Sequence, residues 1–147
     1  MWPWMSPHGT KYPTWDDASH YSIHLYSLLH QKLTSIHDDI SVSESKYWRT
    51  LKRGTKSFAT INPTNKGLRI LLACQPTELS DPKCLVRRSS SSGSWKQKYP
   101  TEMFFNQAEL LEYICDLIQQ AYIKATTWML HFTLDYSFLA STYILSS

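Results

Sequence analysis

The chain has 147 residues, 42% hydrophobic and 18% charged, with a formal net charge of +3 at pH 7. Its length bounds it to one domain with a core of ordinary size, and its composition excludes an intrinsically disordered chain. The charge is uneven: twelve of the fifteen lysines and arginines fall between Glu44 and Tyr99 with only three acids, which leaves that window at +9 and the flanks at −6.

The chain opens on Trp2, Trp4 and Trp15 with Pro3, Pro7 and Pro13, and residues 1–13 are expected to be an irregular extension. Met1–Thr10 has no basic segment followed by an apolar run, which argues against a signal peptide. Thr14-Trp15-Asp16-Asp17 resembles a capping box, so a helix is expected from there to about Ile36. Leu25, Leu28, Leu29, Leu33 and Ile36 recur at three- and four-residue steps and make its apolar face. His37-Asp38-Asp39 ends it, with Ile40 as a last apolar anchor.

From Ser45 the period changes. Lys46–Leu51, Thr55–Ile61 and Gly67–Ala73 read as strands, separated by the turns Lys52-Arg53-Gly54 and Asn62-Pro63-Thr64-Asn65-Lys66-Gly67. Ile70-Leu71-Leu72-Ala73 has no polar alternate, which predicts a central strand covered on both faces. Pro76 and Asp81-Pro82 mark a loop, Leu85–Arg88 a short strand, Ser89–Ser94 a flexible loop tip and Glu102–Phe105 a last strand. A second helix follows, with Asn106 as its cap, Glu109 reaching back, and Phe105 and Leu110 as the staple. Leu110, Ile114, Leu117 and Ala121, flanked by Leu111, Ile118 and Tyr122, form its buried stripe. Residues 126–147 form a C-terminal extension in which Trp128, Leu130, Phe132, Leu134, Tyr136 and Phe138 alternate with mostly polar residues, a strand period.

These elements predict an α+β domain over residues 14–125: an N-terminal helix, an antiparallel meander of three to five strands, a C-terminal helix packed on the sheet, and a strand-like tail. Leu117–Leu134, the longest candidate span, is interrupted by Lys124 and carries His131, so no membrane contact is expected. Cys74, Cys84 and Cys115 are odd in number and lack a C-x-x-C pair, which suits three buried free thiols in a cytoplasmic protein better than a zinc site or a secreted framework.

Several local sequences recur in one order: Ile36-His37-Asp38-Asp39-Ile40, Lys46-Tyr47, Phe58 before Asn62-Pro63, Lys66-Gly67-Leu68, Asp81-Pro82, Trp95, and Leu117-Ile118-Gln119-Gln120-Ala121-Tyr122. Over about residues 21–122 the chain resembles the bacterial and archaeal family called domain of unknown function 5655, also described as a predicted transport protein. The resemblance implies a helix, an antiparallel meander and a helix, in proteins that often accompany nucleases or restriction-type defence systems. Two features depart from the family's pattern: Ser89–Ser94 and Lys96-Gln97-Lys98 stand in place of a Gly-rich tract, and no nuclease domain precedes the helix in this sequence.

The basic window carries the functional expectation, because clustered positive charge concentrates polyanions. Arg49, Lys52, Arg53, Lys56, Arg87, Arg88, Lys96 and Lys98 are the candidate phosphate contacts, and Trp95 and Tyr99 the candidate stacking residues. The competing reading is a solvated sheet edge with its aromatics in the core. His20 and His24 are four apart on one helix but have no third ligand at a defined spacing, so no metal is expected. The sequence has no G-x-S-x-G, no phosphate loop and no paired acid and base, so neither catalysis nor a cofactor is expected. The leading expectation is a non-catalytic binding module for DNA or RNA, with a nuclease or other protein as a further expected partner. The alternatives are a protein-interaction domain using the sheet edge or the C-terminal tail, and a metal-dependent hydrolase.

Overall fold

A computed structural model describes residues 12–125. The tail, and all of the N-terminal extension except Tyr12 and Pro13, lie outside the described residues. Helix α1 spans His20–Ile36 and is capped by Ser19, whose hydroxyl accepts from the Ser22 amide at 3.1 Å. It therefore starts later than Thr14. The Thr14 hydroxyl instead accepts from the Asp17 amide at 3.2 Å and closes a separate turn. The same capping chemistry serves a turn as well as a helix, and here it lets Trp15 enter the core against Tyr26, ring centroids 5.0 Å apart. Leu25, Leu29 and Leu33 are fully buried, each stabilising the fold by about 1.5–3 kcal/mol. Leu28 is only half-buried and Ile36 is exposed, so the apolar stripe is narrower than its spacing suggests.

Six antiparallel strands follow: β1 Ile40–Glu44, β2 Arg49–Arg53, β3 Lys56–Pro63, β4 Leu68–Leu72, β5 Arg87–Arg88 and β6 Thr101–Phe105. Their order in the sheet is β1-β2-β3-β4-β6-β5. The sixth strand is β1, where the sequence suggests only an apolar anchor at Ile40. Two apolar residues in a serine-rich run are a weak signal, and pairing with β2 is what makes the segment a strand. Ser45–Trp48 forms the β1–β2 turn, so β2 begins after Lys46 and Tyr47. The β2–β3 hairpin closes through Gly54-Thr55, with Gly54 at φ +62 in the conformation that a two-residue hairpin turn favours. A bulge lets Leu51 pair with Ala59 and Lys52 with Ser57, which leaves Phe58 over to pack on Tyr122.

Helix α3, residues 111–125, follows the short 3-10 turn Ala108–Leu110. The expected capping box at Asn106 does not form, because the helix begins several residues further on. The Asn106 carbonyl instead accepts from the Tyr21 hydroxyl at 2.7 Å. Ile114, Leu117, Ile118, Ala121 and Tyr122 are buried as expected, together with Cys115. Cross-strand register places Leu51, Ala59, Ile61, Leu68, Ile70, Leu72, Met103 and Phe105 on the face that meets α1 and α3.

The opposite face carries Thr50, Lys52, Thr60, Asn62, Arg69, Leu71, Glu102 and Arg87, as the same registers require. Part of it is covered by helix α2, Gly93–Lys98, in a segment that reads as a flexible loop tip. Trp48, Leu71 and Tyr99 form a second small core there, with Trp95 packed against it. Strand β4 is buried along its whole length, as expected of a central strand.

One corner has a pH consequence. The Tyr122 hydroxyl donates to Asp39 at 2.5 Å and Arg53 lies 3.0 Å away, and together they hold the Asp39 carboxyl below its ordinary range against its partial desolvation. A depressed carboxyl contributes stability above its unfolded pKa, about 3.9, and loses it as pH falls through the lower folded value. The stability difference between the wild type and Asp39→Asn should therefore shrink on acidification, and acid titration of chemical denaturation curves checks this.

Candidate polyanion-binding site

Neighbouring groups divide the basic residues into two sets. In the first set, arginines serve the fold. Arg49 donates to the Ser45 carbonyl at 2.8 Å and stacks over Trp15 at 4.7 Å. Arg53 pairs with Asp39 and covers the Tyr122 ring at 4.2 Å. Arg87 pairs with Glu102 at 2.9 Å and lies over Phe104 at 5.0 Å, while keeping 57% of its side chain exposed.

The second set gathers at one end of the sheet. Lys52 is in register with Ser57 across the bulge and shares its face, whereas Lys56 pairs with Arg53 and so lies on the α1 and α3 face, beside Cys74 and Lys124, apart from this group. The Tyr99 hydroxyl donates to Ser57 at 2.9 Å, which fastens the C-terminal end of α2 to the same hairpin. Lys96 and Lys98 occupy the last turn of α2, with Lys98 5.5 Å from the Tyr99 ring. Residues more than forty positions apart in sequence thus share one surface. Arg88 does not join them. It pairs with Thr101 on β6, which is in register with Leu72, so it lies on the face that meets α1 and α3 and away from α2.

Both candidate stacking residues are packed internally. Tyr99 is 1% exposed, and burial raises its pKa. Trp95 is half-buried between Trp48 and Tyr99, centroids 5.1 and 5.2 Å away, and its indole nitrogen is buried without a partner. Neither offers an open ring face of the kind base stacking needs.

The sequence reading missed a buried ion network behind this surface. Glu102, fully buried, accepts from Arg69 at 2.7 Å and Ser90 at 2.9 Å through Oε1, and from Arg87 through Oε2. Arg69, 1% exposed, also donates to Ser91 at 3.0 Å, and Tyr12 lies over its guanidinium at 5.1 Å. Burial raises the Tyr12 pKa, with Arg69 opposing and Glu102 reinforcing the shift. A signal was present, because Arg69 interrupts the apolar run Leu68–Leu72 and a central strand cannot bury an arginine without an acid.

Among the described residues, no three His, Cys, Asp or Glu side chains converge to hold a metal ion, and His20 and His24 are both exposed on α1. Cys74 and Cys115 are buried, and burial pushes each thiol up to about 11. Cys84 is exposed rather than buried, on a positive-φ residue of the loop before β5. Among the described residues no helix is long and apolar enough to cross a membrane.

The chain is similar to an uncharacterized protein of Haemophilus influenzae, 30% identical over 105 residues, which cover 71% of this chain and 34% of that protein. It thus spans about a third of the relative's length. No protein-family model matches the chain. No solved structure matches it.

Proposed function

We propose that this domain is a non-catalytic module that binds the phosphate backbone of nucleic acid through Lys52, Lys96 and Lys98. The observation that carries this reading is the Tyr99–Ser57 hydrogen bond, which gathers lysines from a hairpin and a distant helix at one end of the sheet. Lysines act as flexible point charges and suit contacts that follow a backbone without reading sequence. The contact surface is thus smaller than the whole basic window, because Arg49, Arg53 and Arg87 are engaged within the fold. The resemblance to a family that accompanies nucleases and defence proteins supports an accessory role in such systems. Three cysteines without a disulfide fit a reducing compartment, and we infer a cytoplasmic setting.

Fluorescence anisotropy with labelled single- and double-stranded oligonucleotides, across a salt series, tests the proposal. The Lys52→Ala/Lys96→Ala/Lys98→Ala variant should bind weakly, and its salt slope should fall by roughly one unit for each contact removed. Lys83→Ala, outside the cluster, should leave binding unchanged. Absence of binding at low salt, or binding unaffected by the triple substitution, would sink the proposal.

A further inference from the structure

We propose that the cavity at the C-terminal end of α3 is a seat for the indole ring of the chain's own Trp128, which anchors the start of the C-terminal extension to the sheet. This goes beyond nucleic-acid binding and does not depend on it.

The cavity measures about 160 Å³. Its walls come from Lys56 and Phe58 on β3, from Ala73 and Cys74 just after β4, and from Ala121 and Ala125 on α3. Phe58, Cys74, Ala121 and Ala125 are buried and give it an apolar floor. An apolar cavity of roughly 150 Å³ admits an aromatic ring. The charged groups beside it are Lys56, Lys124 and Glu78, and the last two pair with each other at 3.8 Å. An apolar floor next to ammonium groups suits the face of an aromatic ring, and the tryptophan ring most of all.

The end of α3 points to the occupant. Its buried stripe runs through Ile114, Leu117, Ile118, Ala121 and Tyr122 to Ala125, the last described residue. Trp128 follows Ala121 by seven positions, Lys124 by four and Ala125 by three, the spacings that share one helix face. One further helical turn therefore sets Trp128 in the middle of the arc that lines the cavity, and Met129 about a quarter-turn away. Even without that turn, three residues of extended chain reach about 10 Å. A ring tethered so closely competes at roughly millimolar effective concentration with any free aromatic molecule.

Alkylation of the full chain with iodoacetamide, read at each cysteine by peptide mass spectrometry, tests the proposal. Cys74 lines the cavity, whereas Cys115 is buried outside it. Trp128→Ala should speed labelling of Cys74 roughly tenfold by uncovering it, and leave Cys115 unchanged. Trp128→Phe, which restores a ring, should return most of the protection, and Met129→Ala should keep the wild-type rate. Free indole at millimolar concentration should slow Cys74 labelling in Trp128→Ala and not in the wild type, a second readout within one variant.

Equal Cys74 rates in the wild type and Trp128→Ala overturn the proposal. So does an equal acceleration in Met129→Ala, or one at Cys74 and Cys115 alike. Protection of the wild type by indole would show a cavity open to free ligands, and protection that fades on dilution of the protein would assign the ring to a second copy. Either result also overturns it.

Discussion

Glu102→Gln is expected to lower the unfolding free energy by about 3–5 kcal/mol, the cost of breaking a buried ion pair by removing one partner. The substitution keeps the size of the side chain and removes its charge. Arg69 is 1% exposed and loses the carboxylate that balances it. Three strands and a loop meet at this side chain, because Arg69 comes from β4, Glu102 from β6, Arg87 from β5, and Ser90 from the loop beyond β5. Urea denaturation followed by tryptophan fluorescence measures the loss, and a change below about 1 kcal/mol would show that the pair does not carry the fold. The converse is also expected: replacing both partners with apolar residues of similar volume, as in Arg69→Met/Glu102→Leu, should recover most of the stability.

Gly67→Ala is the second large expected loss, about 3 kcal/mol, and its cause is steric. A Cβ at Gly67 would lie 2.3 Å from the Phe105 carbonyl oxygen and 3.0 Å from the Asn106 Cα. Both are backbone atoms at the end of β6, so neither can swing aside as a side-chain tip would. The Gly67 carbonyl also accepts from the buried Ser22 hydroxyl at 2.8 Å, and displacing the turn loosens α1 as well. Gly54→Ala is the natural control. Gly54 faces open space and meets only its conformational penalty at φ +62, about 1 kcal/mol. Equal losses at the two sites, in parallel thermal or denaturant melts, would contradict the steric account.

The central elements were legible because their signals are local. Leu25, Leu29 and Leu33 announce a helix face by spacing alone, and the unbroken run at Ile70–Leu72 announces a strand covered on both sides. Strand β1 was not legible, since Ile40 and Val42 acquire a strand only through register with Arg53 and Leu51. Helix α2 was hidden by Ser89–Ser94, a composition that resembles a flexible linker. The charge window was visible as a sum, but a sum does not say which charges the fold consumes. Arg53 finds Asp39 by closing an ordinary hairpin corner, whereas Arg69 finds Glu102 thirty-three positions away across the β4–β6 pairing. The grouping of Lys98 with Lys52 likewise depends on Tyr99 reaching Ser57, a contact that no spacing rule encodes.

The serine run has a practical meaning for anyone wishing to graft a tag or a second domain onto this scaffold. By composition it invites a splice. Yet Ser89 is 2% and Ser91 3% exposed, the Ser89 amide bonds to the Pro100 carbonyl, and the hydroxyls of Ser90 and Ser91 grip the buried ion pair. An insertion there would pull the lining out of the sheet's second face. The Gly54-Thr55 turn, exposed and with open space around Gly54, is where the scaffold accepts foreign sequence at least cost to the fold.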